Sequence, residues 1–172
     1  MKRRQALNLI TLATLVPLLH PALAAAPLRG QPVVWPEVAL LDGGHFGAAT
    51  AAGQAVVVVF WSTTCPYCRR HNQHLEKLQR AAAGLPLKVL AVARERDAAR
   101  VRRYAAQQGY SFPITLEHAP LADALSARKL IPLTVTVDRL GLLQQVYPGE
   151  MFEEDVLDLR RLAQPATEKV RP

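Results

Sequence analysis

Phe60-Trp61-Ser62-Thr63-Thr64-Cys65-Pro66-Tyr67-Cys68 is the stretch from which this chain can be read. Cys65 and Cys68 are its only two cysteines, separated by two residues. Upstream, Ala55 to Phe60 is an unbroken apolar run, mostly β-branched, the pattern of a strand covered on both faces. Downstream, His71, Leu75, Leu78 and Ala82 fall on one face of a helical pattern. Cys65 is therefore expected where a buried strand turns into a helix N-terminus. Unpaired N–H groups and the helix dipole stabilise a thiolate there, and such cysteines have pKa values of about 3.5–7.5 in place of about 8.5. Pro66 suits the first helical turn, where its missing N–H costs nothing. Cys68, one turn on, can attack a mixed disulfide formed at Cys65.

The residues alone leave rival readings of the pair. A structural bridge across two residues closes a very small loop and constrains the unfolded chain little. A metal site could be written from Cys65, Cys68, His71 and His74, but a closed zinc site usually draws its second ligand pair from a distant segment. Haem attachment requires a histidine directly after the second cysteine, and Arg69 stands there. The spacing favours redox chemistry.

The flanks set the context. Lys2, Arg3 and Arg4 precede an apolar stretch from about Leu7 to Leu19, and Ala22-Leu23-Ala24 offers a small-x-small cleavage site. Residues 1–24 thus read as a signal peptide, with an uncleaved membrane anchor as the alternative and the export route left open between Sec and Tat. The stretch is short of the roughly 20 apolar residues that a comfortable span requires. The whole chain carries 21 Lys and Arg against 14 Asp and Glu; without the leader's basic residues the excess falls to about four. These cations are scattered and lack aromatic interleaving, which argues against a nucleic-acid surface. Half of the residues are hydrophobic, enough for one domain with a proper core.

Along the chain, 25–32 reads as loose and Val33 to Leu41 as a short edge strand or extended segment, with Asp42-Gly43-Gly44 a turn. Ala48 to Gln54 is a loop or short helical turn. After the cysteine helix, which should stop near Gly84 and Pro86, a second buried strand is expected over Leu87 to Ala93. Asp97 should cap a helix running to Gln108 and ending at Gly109, with Val101, Tyr104 and Ala105 inward. Phe112 to Leu116 is short and apolar, and a helix is expected over Leu121 to Arg128. Leu133 to Val137 and Leu142 to Tyr147 read as strands about an Asp138–Gly141 turn. A last helix over Glu150 to Leu162 should put Phe152, Val156, Leu159 and Ala163 on one stripe, and 165–172 reads as a disordered tail. The order implies an α/β fold with a mixed central sheet and helices on both faces, in one domain over 33–164.

Several motifs in this order resemble secreted thioredoxin-like proteins of the TlpA/ResA type, which include the thioredoxins of cytochrome c maturation. They are Pro36-Glu37-x-x-Leu40-x-Asp42-Gly43, Val58-Val59-Phe60-Trp61 before the Cys-Pro-x-Cys, Ser111-Phe112-Pro113 closing a central insert, Ile131-Pro132, and Val137-Asp138-x-x-Gly141. The resemblance covers about Val33 to Ala163. It implies a thioredoxin-like fold with an N-terminal hairpin, and a periplasmic thiol–disulfide oxidoreductase without a cofactor or metal. It implies protein disulfide or dithiol substrates, recharging by a membrane electron donor, and a monomer. It also implies a cis peptide at Pro132. Such a bond would leave the Ile131 backbone beside Cys65, where a partner's extended segment could pair. Cys65 and Cys68 would be catalytic, with Trp61, Pro66, Tyr67, Ile131 and Pro132 in support, and the protein is expected to act as a reductant.

The sequence departs from this pattern where protons are handled. Thioredoxin's buried carboxylate falls on Val59, and the TlpA/ResA glutamate after the second cysteine falls on His71. Thr64 and Leu133 also replace the usual Trp and Thr. His71 is the candidate proton acceptor for Cys68, against a plain reading as a water-bonded helix histidine. His74 reads as solvated, and Arg69 and Arg70 as surface cations that favour a nearby thiolate. Two alternatives differ in kind. One is a copper or other metal chaperone using Cys65, Cys68 and His71. The other is a peroxiredoxin-like peroxidase, with Ser62 three residues before the reacting cysteine.

Overall fold

The computed structural model describes residues 28–164 except 126 and 128. The leader, residues 25–27 and the tail lie outside the described residues. At its centre is β3 (Ala55–Trp61), all seven residues of which are buried. Full burial of a valine side chain is worth roughly 1.5–3 kcal/mol, so the Val56–Val59 run anchors the sheet. Two strands flank it: β4 (Leu87–Ala93), parallel, and β6 (Leu133–Val137), antiparallel. Outside these lie β5 (Ile114–Thr115), parallel to β4, and β7 (Leu143–Pro148), antiparallel to β6. The five-stranded order is β5-β4-β3-β6-β7. A separate hairpin pairs β1 (Val38–Ala39) with β2 (His45–Phe46).

The period of two along β3 divides the core. Ala55, Val57, Val59 and Trp61 face a cluster that includes Leu75 and Leu78 of α2 (Pro66–Ala81), Val101 of α3 (Ala98–Gln108) and Val156 of α5 (Glu153–Asp158). Val56, Val58 and Phe60 face Val38, Phe46, Ala51 of α1 (Ala48–Ala51) and Leu121 of α4 (His118–Ala124). Helices thus cover both faces of a mixed sheet, as the α/β reading expects.

Val33 to Leu41 holds a short strand, Val38–Ala39, as expected, and Val33 donates its N–H to the Gly141 carbonyl, alongside a Pro32–Leu142 bridge. Two expectations need correction. The fourth helix is His118–Ala124 and so starts before Leu121; Arg128 is outside the described residues. The last helix starts only at Glu153 and tightens into a 3-10 turn over Leu159–Ala163. Phe152 precedes it and is 79% exposed, while Val156, Leu159 and Ala163 form the buried stripe.

Candidate functional site

Cys65 is the N-cap of α2, and Pro66 is the first helical residue. The Cys65 Sγ accepts a hydrogen bond from the Cys68 N–H at 3.1 Å, so one of the helix's unpaired donors is aimed at this sulfur. The two cysteines are joined as a disulfide, with Cα atoms 5.2 Å apart. Their environments differ. Cys65 is half-buried and Cys68 is 0% exposed. Tyr67 between them is 58% exposed, with the Arg70 guanidinium 5.1 Å from its ring centre.

The register brings the other predicted residues to the same end of the sheet. Phe60 pairs with Leu133, so the start of β6 lies level with the end of β3. The peptide just before it, Ile131–Pro132, is cis. Pro132 is buried and its carbonyl accepts from the Gly149 N–H at 2.8 Å. Trp61 is fully buried in the same cluster as Cys68 and heads an aromatic group, 5.8 Å from Tyr104 and 6.0 Å from Tyr110 between ring centres.

His71 is fully buried. Its Nδ1 accepts from the Met151 N–H at 3.3 Å, which leaves Nε2 as the protonated nitrogen, 2.9 Å from Thr134 Oγ1. Burial, with a smaller contribution from His74, lowers its pKa to about 4. Both ring nitrogens are committed, so no lone pair of this ring is left for a thiol proton. The ring joins α2, β6 and the segment before α5. The expectation that His74 is solvated is also corrected: its Nδ1–H lies 3.3 Å from the Met151 carbonyl.

Arg70 is a paired cation. Its Nε and Nη2 meet the two oxygens of Glu150 at 2.8 and 2.6 Å. Each raises the other's tendency to ionise: the Arg70 pKa is moved up and the Glu150 pKa down, mainly by this hydrogen-bonded contact. Further along α2, Lys77 holds Glu153 at 2.6 Å. Helix α2 is thus stitched to residues 150–153 along one side.

Two residues that sequence reasoning passed over complete the site. The first, Glu95, follows the end of β4. Its Oε1 accepts from the Thr63 N–H at 2.7 Å, the Thr63 hydroxyl at 2.5 Å and the Ser62 hydroxyl at 3.1 Å. The second, Arg94, donates its N–H to the Trp61 carbonyl at 2.9 Å, and its Nη1 donates to the Lys129 carbonyl. Consecutive residues at one strand end thus hold both the loop before Cys65 and the loop before Ile131-Pro132. Their only sequence signal is position, since functional groups gather at the carboxyl ends of parallel strands.

The metal reading would need the lone pair of His71, which at Nδ1 already accepts from the Met151 N–H. Among the described residues no group of three or more His, Cys, Asp or Glu side chains is placed to hold a metal ion. The Ser62 hydroxyl, on which the peroxidase reading draws, is engaged with Glu95 and 3.0 Å from Thr64 Oγ1.

The Redoxin family profile matches residues 29–162. The chain belongs to this family. It is 30% identical over 126 residues to the thiol–disulfide oxidoreductase ResA of Halalkalibacterium halodurans, covering 73% of this chain and 71% of that protein. Among solved structures it is similar to a thiol:disulfide interchange protein of Chlorobium tepidum, with a TM-score of 0.71, 24% identity, and coverage of 80% of this chain and 99% of that one. It is also similar to StoA of Bacillus subtilis, with a TM-score of 0.64, 19% identity, and coverage of 76% and 98%. The expected TlpA/ResA-type membership and thioredoxin-like fold stand, and the enzyme class is thiol–disulfide oxidoreductase.

Proposed function

We propose that this redoxin exchanges its Cys65–Cys68 dithiol with disulfides of protein partners in the periplasm, acting as a reductant. The observation that carries the reading is the asymmetry of the pair: Cys65 is half-exposed at a helix N-terminus, and Cys68 is sealed beneath it. The Cys65 thiolate attacks a partner disulfide, forming a Cys65–partner S–S bond and releasing one partner thiolate. Cys68 then loses its proton and attacks the Cys65 sulfur. The Cys65–Cys68 bond closes and the second partner thiolate leaves. Two electrons pass to the partner, whose sulfurs take up protons. Ile131-Pro132 supplies the backbone against which the partner's extended segment lies, and Pro66 and Tyr67 form the exposed lip beside it. Trp61 supports Cys68 from below. His71 takes a positioning role, since its nitrogens are already bonded. A membrane electron donor recharges the disulfide, and the exported protein works as a monomer without a cofactor.

The test is trapping. Cys68→Ser should accumulate mixed disulfides with partners through Cys65, visible as reductant-sensitive adducts on non-reducing gels. Stronger trapping by Cys65→Ser overturns the assigned order of attack. A redox titration against glutathione tests the direction, and a potential near about −120 mV, in the range of a strong oxidant, overturns the reductant role.

A further inference from the structure

We infer that Glu95 sets how reducing the Cys65–Cys68 pair is, by placing a poorly compensated negative charge under the turn that carries Cys65. The inference rests on the thiol–disulfide reading above and assigns the residue that tunes it.

The turn from Ser62 to Cys65 is organised on this carboxylate. Three donors converge on Oε1: the Thr63 N–H, the Thr63 hydroxyl and the Ser62 hydroxyl. Because a carboxylate only accepts, the Ser62 proton points to Glu95, and the Ser62 oxygen is left to accept from Thr64. It does so from the Thr64 hydroxyl at 3.0 Å and the Thr64 N–H at 3.3 Å. The Ser62 carbonyl in turn accepts from the Cys65 N–H at 3.3 Å. Every residue from Ser62 to Cys65 is thus tied to Glu95 directly or through one intermediate.

The second oxygen differs. Oε2 is buried and has no hydrogen-bond partner. A buried polar atom left unpaired is uncommon in folded proteins and calls for an explanation. Hydration compensates such a charge poorly, and its field reaches further than that of an exposed carboxylate.

The cations around the site are engaged elsewhere or exposed; of the two that adjoin Glu95 in the chain, Arg94 reaches to the Lys129 carbonyl and Arg96 is exposed. On α2, Arg70 is held by Glu150, His71 is neutral at pH 7, and His74 faces Met151 and Glu153; Arg69 is exposed. From the segment before β6, Lys129 gives its carbonyl to Arg94, whose guanidinium lies 5.7 Å from the centre of the Phe60 ring. Helix N-terminus and carboxylate therefore oppose each other at Cys65: the first favours the thiolate and the second disfavours it. A less stable thiolate means a less stable dithiol form, and so a pair that gives up electrons more readily.

The experiment uses the full exported protein. Two glutathione thiols reduce the Cys65–Cys68 disulfide to the dithiol, yielding one glutathione disulfide, with two electrons and two protons transferred. The equilibrium constant is read across pH about 6–9, and the Cys65 thiol pKa is read from thiolate absorbance. Glu95→Gln should lower the Cys65 pKa by about half a unit or more, equivalent to about threefold in thiolate dissociation. It should move the glutathione equilibrium toward the dithiol by the same factor, only above the lowered pKa. Glu95→Asp should fall between wild type and Glu95→Gln, and it carries the test if Glu95→Gln does not fold. Thr63→Val removes a hydrogen bond and no charge, so it should leave the Cys65 pKa no lower than in wild type.

An unshifted pKa and equilibrium in both Glu95 variants overturn the inference, as does a Thr63→Val protein that reproduces the Glu95→Gln shift. The underlying reading fails separately: its sign is a wild-type protein that does not exchange with glutathione at all.

Discussion

Two polar side chains, His71 fully buried and Glu95 partly so, support the segments that carry the disulfide, and they are built in opposite ways. His71 is neutral and fully engaged, with one nitrogen on Met151 and the other on Thr134. Glu95 is acidic and lopsided: one oxygen accepts three hydrogen bonds and the other, buried, accepts none. A satisfied neutral group fixes geometry and adds little field. A half-satisfied carboxylate fixes geometry and adds a field. The contrast assigns architecture to one side of the disulfide and chemical bias to the other.

The comparison depends first on the sulfurs it flanks. Cys65→Ser should reduce insulin-disulfide reduction to the uncatalysed background while both supports stay in place, measured as turbidity with dithiothreitol as donor. Retained turnover would show that neither flank serves this pair. The next largest effect is on stability. His71→Ala removes a buried ring and leaves the Met151 N–H and the Thr134 hydroxyl without it, which should cost about 3 kcal/mol. Urea unfolding of the oxidised protein measures this. A cost below about 1 kcal/mol would mean that the ring is not the strut described.

A third prediction uses pH. The folded pKa of His71 is about 4, against an ordinary value of 6.5. Between these values the unfolded chain binds a proton that the folded protein does not, so stability falls as pH drops from about 6.5 to 4 and is fully retained above that window. The loss is at most about 3 kcal/mol. In His71→Gln the slope of unfolding free energy over this window should flatten. An unchanged slope would assign the acid sensitivity to other groups. The smallest effect belongs to the surface. Glu150→Gln removes the anion paired with Arg70 and should lower thermal stability only slightly, with the difference from wild type shrinking further in high salt. A large, salt-insensitive loss would mean that this pair, and not the buried histidine, holds the segment before α5.

What was legible in the sequence follows from where the information lies along the chain. The ends of α3 are local: Asp97 accepts from the Arg100 N–H at 3.0 Å, and Gly109 takes a left-handed φ of 70° after the last turn. Cap and stop are short-range chemistry, so both ends could be read. The cysteine turn was readable for the same reason, since Cys65, Pro66 and Cys68 carry their own helix start. Phe152 was misread because its spacing fits the helical stripe while its backbone obeys distant partners. Met151 is drawn to His71 and Gly149 to Pro132, so the helix cannot begin until Glu153. Glu95 was hidden differently. Within Arg94-Glu95-Arg96-Asp97 it reads as one more solvated charge, and its partners Ser62 and Thr63 lie more than thirty residues away. His71 could be singled out as a histidine near the cysteines, but the two bonds that define its task come from β6 and from residue 151.

Trp61 stands opposite Ala93 and Phe60 opposite Leu133, so three segments far apart in the chain leave the sheet at one level. That shared level makes the rim sensitive to length in a way it is not sensitive to chemistry. Replacing a residue within β4 changes one side chain. Adding or removing one there turns every later side chain to the opposite face before the rim is reached. Arg94 and Glu95 would then emerge with their tasks exchanged or out of reach. The strands act as rulers, and it is their count of residues, more than their composition, that brings a carboxylate to the cysteine turn.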